Sequence, residues 1–272
     1  FVHQNNYYPW PVALEPGTHT WKVRAHRTDG AVGAYTSLQS FTIDTAATGR
    51  NTNFTASQEL SARVGVYAYD DVIVVSGTTL NFTGNYTTYT LPVHNGKGVV
   101  LIAKSLTVQS NANISAVGKG YAATYGPGVG IYGTGNRAAG YGGLGAIQDG
   151  GGSATYGSFL LPYDLGSGVE YAGGGAVTLL VADTVNVSGS IDATARNPSS
   201  NDAGSGGSIY IDANNVIGTG AIISTGGYSS GNGARGGGGG RISVHYRSSY
   251  GFSGSVTAVG GTSYTSTIPN GA

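Results

Sequence analysis

The chain has 272 residues, 49 of them Gly; only 10% are charged, and thirteen basic side chains balance thirteen acidic ones. Gly at about 18% is well above the ordinary 7% or so, yet the eight Pro and the lack of a Gly-X-Y period exclude collagen, and zero net charge argues against disorder and nucleic-acid binding. No apolar run approaches the ~18–20 residues of a membrane span, and the absence of Cys removes disulfides, thiol catalysis and Cys-ligated zinc. A chain without Met that opens on Phe1 is expected to be a processed piece or a segment of something larger.

Residues 1–47 hold both Trp, three of the five His and three of the eight Pro. Pro16-Gly17 precedes a run in which Trp21, Val23 and Ala25 alternate with Lys22 and Arg24, which is a period of two and predicts a strand. A turn is expected around Asp29-Gly30, and Phe41 and Ile43 predict a second strand. This Pro-Gly, strand and Phe41-Thr42-Ile43-Asp44 return resembles the last two strands of a fibronectin type III or bacterial Ig-like module. The departure is that Thr20 and Trp21 stand where such modules usually place a tyrosine. A whole sandwich takes about seven strands, and only thirteen residues precede Leu14, so the resemblance implies a partial module. Its missing strands were either cut off or are donated by another chain.

Residues 48–66 are expected to be a linker or entry strand. From residue 67 onward a unit recurs: strand, short turn, strand, Gly-rich return. The first strands are Val72–Val75, Val99–Ala103, Ala176–Val181, Ser208–Asp212 and Arg241–Tyr246. The segments that follow are Leu80–Tyr86, Leu106–Val108 leading to Ala112–Ala116, Val185–Ala193, Val216–Ile222 and Phe252–Ala258. Short strands that cannot bury their own faces must stack on their neighbours, which predicts an all-β parallel β-helix, or β-solenoid, with Gly-rich loops. Gly206-Gly207-Ser208-Ile209-Tyr210-Ile211, Ser224–Gly227 and Gly236–Gly240 with Arg241–Val244 resemble glycine-rich β-helical segments of large microbial surface and adhesin-like proteins. That resemblance spans residues 70–272 and implies a structural or adhesive role outside the cell.

The longest return, 118–174, carries Tyr121, Tyr125, Tyr132, Tyr141, Tyr156, Tyr163 and Tyr171 among its glycines. A structureless loop of this length is improbable in a compact domain. The expectation is an ordered insertion packed on the solenoid, with these seven rings as candidate surface-contact aromatics for sugars or another subunit.

Few residues carry candidate chemistry. Gly140–Gly145 matches the dinucleotide fingerprint literally, but with no strand before it or helix after it. Gly236–Gly240 runs into Arg241 instead of the Lys-Ser/Thr of a phosphate loop. Aligning the repeats sets Asp212 beside His245 and Ser208 near Arg241; an outer Asp–His pair is the one arrangement here suited to acid–base work on a polysaccharide. Asp70-Asp71 reads as a turn more readily than as a calcium ligand set. Asn53, Asn81, Asn85, Asn113 and Asn186 are Asn-X-Ser/Thr sequons, and period two turns Asn81, Asn85, Asn113 and Asn186 outward. The sequence therefore predicts a non-enzymatic extracellular structural protein without cofactor or metal. Its expected partners are other copies of itself, end to end, laterally or by strand donation, with glycans as a second class. An adhesin segment and a polysaccharide-binding or -cleaving β-helix are the alternatives.

Overall fold

In a computed structural model the chain is described over residues 17–22, 24, 29–43, 51–63, 65–85, 96–129, 138–146, 153–197, 202–230, 234–263 and 270–272. It divides into two units, Phe1–Arg50 and Asn51–Ala272. The first contains strands β1 (Gly17–Trp21) and β2 (Gln39–Ile43), paired antiparallel with Gly17 opposite Ile43 and Trp21 opposite Gln39. Between them Asp29 takes the Ala31 N–H on its carboxylate at 3.0 Å, beside Gly30 at φ 86°. Val23 and Ala25 of the predicted strand lie outside the described residues.

Fifteen strands follow in the second unit, and no described residue is helical. They are β3 (Thr52–Phe54), β4 (Gln58–Ser61), β5 (Val66–Ala68), β6 (Asp71–Val74), β7 (Thr79–Thr83), β8 (Val99–Ala103), β9 (Ser105–Val108), β10 (Asn113–Ser115), β11 (Ala176–Val181), β12 (Thr184–Val187), β13 (Ser190–Asp192), β14 (Ser208–Gly218), β15 (Ala221–Ile223), β16 (Arg241–Phe252) and β17 (Ser255–Thr257). Every pairing among them is parallel; each of β3 to β11 bonds to the strand three elements later, and each of β12 to β15 to the strand two elements later. β14 and β16 each turn a corner and serve two faces, with a register irregularity at Ala213/Asn215. The chain thus winds through three faces. The first stacks β3, β6, β9, β12 and the second halves of β14 and β16. The second stacks β4, β7, β10, β13, β15 and β17. The third stacks β5, β8, β11 and the first halves of β14 and β16. This order is consistent with a β-solenoid-like fold. Residues 48–66 contribute β3, β4 and the first residue of β5.

Alternation within each strand sends one set of side chains inward, and the register stacks like on like. Val72, Leu106, Val185 and Val216 form one inner column. Leu80, Ile114, Ile191 and Ile222 form a second, and Leu101, Leu179 and Ile211 a third. None of these is more than 1% exposed. Each such side chain contributes about 1.5–3 kcal/mol by leaving water.

The returns from the second face to the third pack by another rule. Residues 234–240 are buried, and their backbone bonds radiate to neighbours on several sides. Gly237 and Gly240 donate to Gly227 and Ser224, three residues apart on one neighbour. Arg235 and Gly238 accept from Ala203 and Gly206 on a second, and Gly236 and Gly239 accept from Ala146 and Gly143 on a third. Gly239 also donates to Ala272, at 2.6 Å. A sheet strand has two hydrogen-bonding edges; here the direction repeats every third residue, the period of an extended threefold helix. Such segments approach so closely that a β-carbon at Gly236, Gly237, Gly238 or Gly239 would overlap the carbonyl of Gly261, Gly204, Gly143 or Ala258 respectively. Glycine is required there by the neighbour's backbone, not by its own torsions.

Candidate functional site

The polar groups that sequence pattern singles out meet on the outer side of the third face, under the segment 153–167. Three carbonyls of that segment are clamped to the strands. Ser208 Oγ donates to the Asp164 carbonyl at 2.6 Å; Arg241 donates through Nε and a terminal nitrogen to the Tyr156 carbonyl at 3.2 and 3.0 Å; Ser243 Oγ donates to the Leu160 carbonyl at 2.9 Å. Because the single Ser208 hydrogen is spent on Asp164, the buried Tyr141 hydroxyl donates to Ser208 Oγ, at 2.6 Å. Tyr156 donates to the Leu165 carbonyl at 2.5 Å and lies 2.9 Å from Ser167 Oγ, and its ring meets that of Tyr141 at 4.6 Å. The Arg241 guanidinium sits 5.4 Å from the Tyr141 ring centre.

Burial dominates the acid–base character of this cluster. It pushes the Tyr141 phenol far above its ordinary range, with the Asp164 carboxylate adding to the effect, and it raises Tyr156 likewise. The Asp164 carboxyl is raised by burial and partly held down by Arg241; Tyr163 is raised by burial and then by Asp164. Tyr141 and Tyr156 therefore remain protonated donors in fixed hydrogen bonds. The cluster fastens a strap to a sheet.

The register sets Asp212 opposite His245 and Ser208 opposite Arg241, as the aligned repeats predict. The side chains go elsewhere. His245 Nε2 lies 3.2 Å from the Leu160 carbonyl and 3.0 Å from Ser243 Oγ, and its ring packs 5.3 Å from that of Tyr210. Asp212 pairs with Arg247, which also donates to the Val181 carbonyl at 3.1 Å. Adjacent backbone positions do not produce an acid–base pair when each side chain has a better partner. Asp71 similarly accepts from Ser105 Oγ at 2.7 Å, and the Asp70 carbonyl accepts the Lys104 N–H at 2.8 Å, so the pair shapes a corner. Among the described residues no three His, Asp or Glu side chains gather as a metal site.

The fingerprint-like Gly140–Gly145 belongs to the glycine packing. Gly140 donates to Gly128 and Gly142 to Gly239, each at 2.9 Å, and a β-carbon at Gly142 would overlap the Gly240 carbonyl. Composition alone conceals this, because the partners of Gly142 lie about a hundred residues away.

Among the candidate contact aromatics, Tyr121 and Tyr141 are buried, and Tyr125, Tyr156, Tyr163 and Tyr171 are half-buried; Tyr132 lies outside the described residues. Of the sequons, Asn53 is exposed and Asn81, Asn85, Asn113 and Asn186 are half-buried. Asn113 accepts Ser190 Oγ at 3.0 Å and Asn186 accepts Ser188 Oγ at 3.3 Å. The Asn113 bond lies on the second face; that of Asn186 adjoins an outward ladder on the first face, where Asn215 donates to Thr184 at 3.4 Å and accepts from Ser249 at 2.7 Å. A surface hollow of about 340 Å³ opens at the corner beside Ser110, Asn111, Asn113 and Ser188.

The chain is similar to no protein-family model, no curated protein and no solved structure compared with it.

Proposed function

We propose that this is a non-enzymatic structural protein of the extracellular surface, a building block that assembles into a fibre or layer. It is read as a β-solenoid with Gly-rich loops that carries part of an Ig-like or fibronectin type III-like module. The observation that carries the reading is the fate of its outer polar groups. On the first face they bond along the stack from one turn to the next, as in Asp71 with Ser105 and Thr184 with Asn215 and Ser249, and on the third face Ser208, Arg241 and Ser243 bond to the segment 153–167. A surface so committed to its own scaffold suits a strut better than a catalyst. Low charge and zero net charge favour association over dispersion.

Electron microscopy of the purified chain tests this directly: ordered filaments or sheets are expected, and isolated particles at every concentration would refute it. The adhesin reading, in which the partner is a glycan or foreign surface, then takes over. Strand donation to the partial N-terminal module is a separate route to assembly. Supplying the missing sandwich strands within the same chain should block polymerisation if that route operates. Attachment of glycans at Asn53, Asn81, Asn85, Asn113 or Asn186 is checked by intact mass of the native material; the bare mass would dismiss it.

A further inference from the structure

The inner columns do not end alike. At the first turn they close on residues that leave little apolar surface: Phe54 and Leu60 are buried, the Phe54 and Tyr69 rings meet edge-on at 5.8 Å, and the Tyr67 hydroxyl takes the Ser61 N–H at 2.9 Å. At the last turn the columns run into the open. Val256 continues the column of Leu80, Ile114, Ile191 and Ile222, each at most 1% exposed, yet is itself 49% exposed. Tyr246 stands above buried Ala213, and Tyr250 above buried Val216; they are 53% and 43% exposed. Among the described residues no strand pairs with the outer edges of β16 and β17.

We infer that this last turn is a docking face for the first turn of a second copy, head to tail, so that the parallel stack continues from one molecule into the next. The inference rests on the self-assembly reading and names the joint. Two features select a second copy as the occupant.

The first is the strand edge. Among the described residues no further strand pairs with the outer edges of β3 and β4 at one end or of β16 and β17 at the other, and both ends belong to one parallel stack. Edges left unpaired on a parallel stack take up another strand in the same direction, which favours a head-to-tail joint over a tail-to-tail pair.

The second is register. Extending the columns by one turn brings incoming Thr52 over Tyr250, a small residue over a large one, and Phe54 over Phe252. It brings the stem of Gln58 over Val256, and Asn51 against Ser249, where the outward ladder ends. Backbone edges of the same polarity meet on the first two faces, through β3 on β16 and β4 on β17. The third face has five strands where the others have six, so a step one strand wide remains there and two faces carry the joint. A heterologous contact of this kind does not close on itself and propagates as a filament.

The test uses the full chain and its Val256→Glu variant, which sets a carboxylate against Glu59 of the incoming first turn. Val256 is half exposed, so the variant should keep the wild-type unfolding curve. Wild type should form rods, and the variant alone should sediment as a monomer. Added in small amounts to wild type, it can still offer its first turn to a wild-type last turn, so it should cap rods and cut their mean length toward the wild-type-to-variant ratio. If the variant polymerises like wild type, this joint is wrong while self-assembly stands. If wild type stops at dimers that the variant neither joins nor caps, the contact is tail to tail and the inference fails. If wild type never assembles, both readings fall together.

Discussion

The winding strands and the glycine returns of the second unit are held by opposite uses of the side chain. In the inner columns, Val, Leu and Ile fill the space between turns, and the backbone bonds only to its two neighbours along the stack. In the returns the side chain is absent, and backbones approach until amides from one segment reach neighbours on several sides. One region is stabilised by removing apolar surface from water, the other by fully satisfied backbone polar groups in a dry setting. A single carbon atom therefore has opposite value in the two.

The sharpest break of the columns is Ile191→Ala. It removes buried atoms between Ile114 and Ile222 and should cost about 2–5 kcal/mol in urea unfolding. A loss below about 0.5 kcal/mol would mean that the column is not closely packed.

Gly238→Ala makes the opposite change by adding one carbon. In an unconstrained segment that replacement stabilises by about 0.4–1 kcal/mol. Here the added carbon meets the Gly143 carbonyl, so a destabilisation of about 1–3 kcal/mol is expected. A gain in melting temperature would show that the segments are not so closely bonded.

The link between the two regions is the Tyr141–Ser208 bond. Tyr141→Phe deletes one donor while Ser208 keeps its bond to Asp164, so a loss of about 1 kcal/mol is expected.

The smallest effect is a pH dependence. The folded chain raises the Asp164 carboxyl above its ordinary 3.8, so the folded state holds that proton more tightly than the unfolded state does. Its stabilising contribution is full below pH 3.8 and is lost as pH rises through the higher folded value. Glu170 acts in the same direction and is more exposed. Asp164→Asn should flatten the slope of stability against pH in that window, and an unchanged slope would assign it elsewhere.

Most of the winding strands can be read from alternation. The predicted runs Val99–Ala103 and Ala176–Val181 are β8 and β11 to the residue, and Val72–Val75 differs from β6 by one. The first turn is hard to read for a physical reason. An end turn is covered on one side only, so β3 and β4 carry Thr52, Asn53, Gln58 and Glu59 among few apolar residues and lack the expected signature. The glycine packing leaves almost no local signal, because what forbids a side chain at Gly142 is the carbonyl of Gly240, far along the chain. The Asp212–His245 juxtaposition is legible as register, whereas the diversion of His245 to Leu160 depends on an insertion whose path no periodicity encodes, and that of Asp212 on the reach of Arg247 within β16.

The glycine packing also bears on how the molecule responds to force. The described residues within 116–175, 193–207, 224–240 and 258–272 link the later turns sideways through bonds such as Gly174 to Ser205 and Gly206 to Gly238, while among the described residues β3 to β5 share in none of the bonds among those four segments. Pulled along the chain, the first turn should peel away at low load, whereas the later turns share the load across a woven block and should let go together at a higher one. The unit is thus a zipper at one end and a knot at the other, and a force–extension trace should show that order.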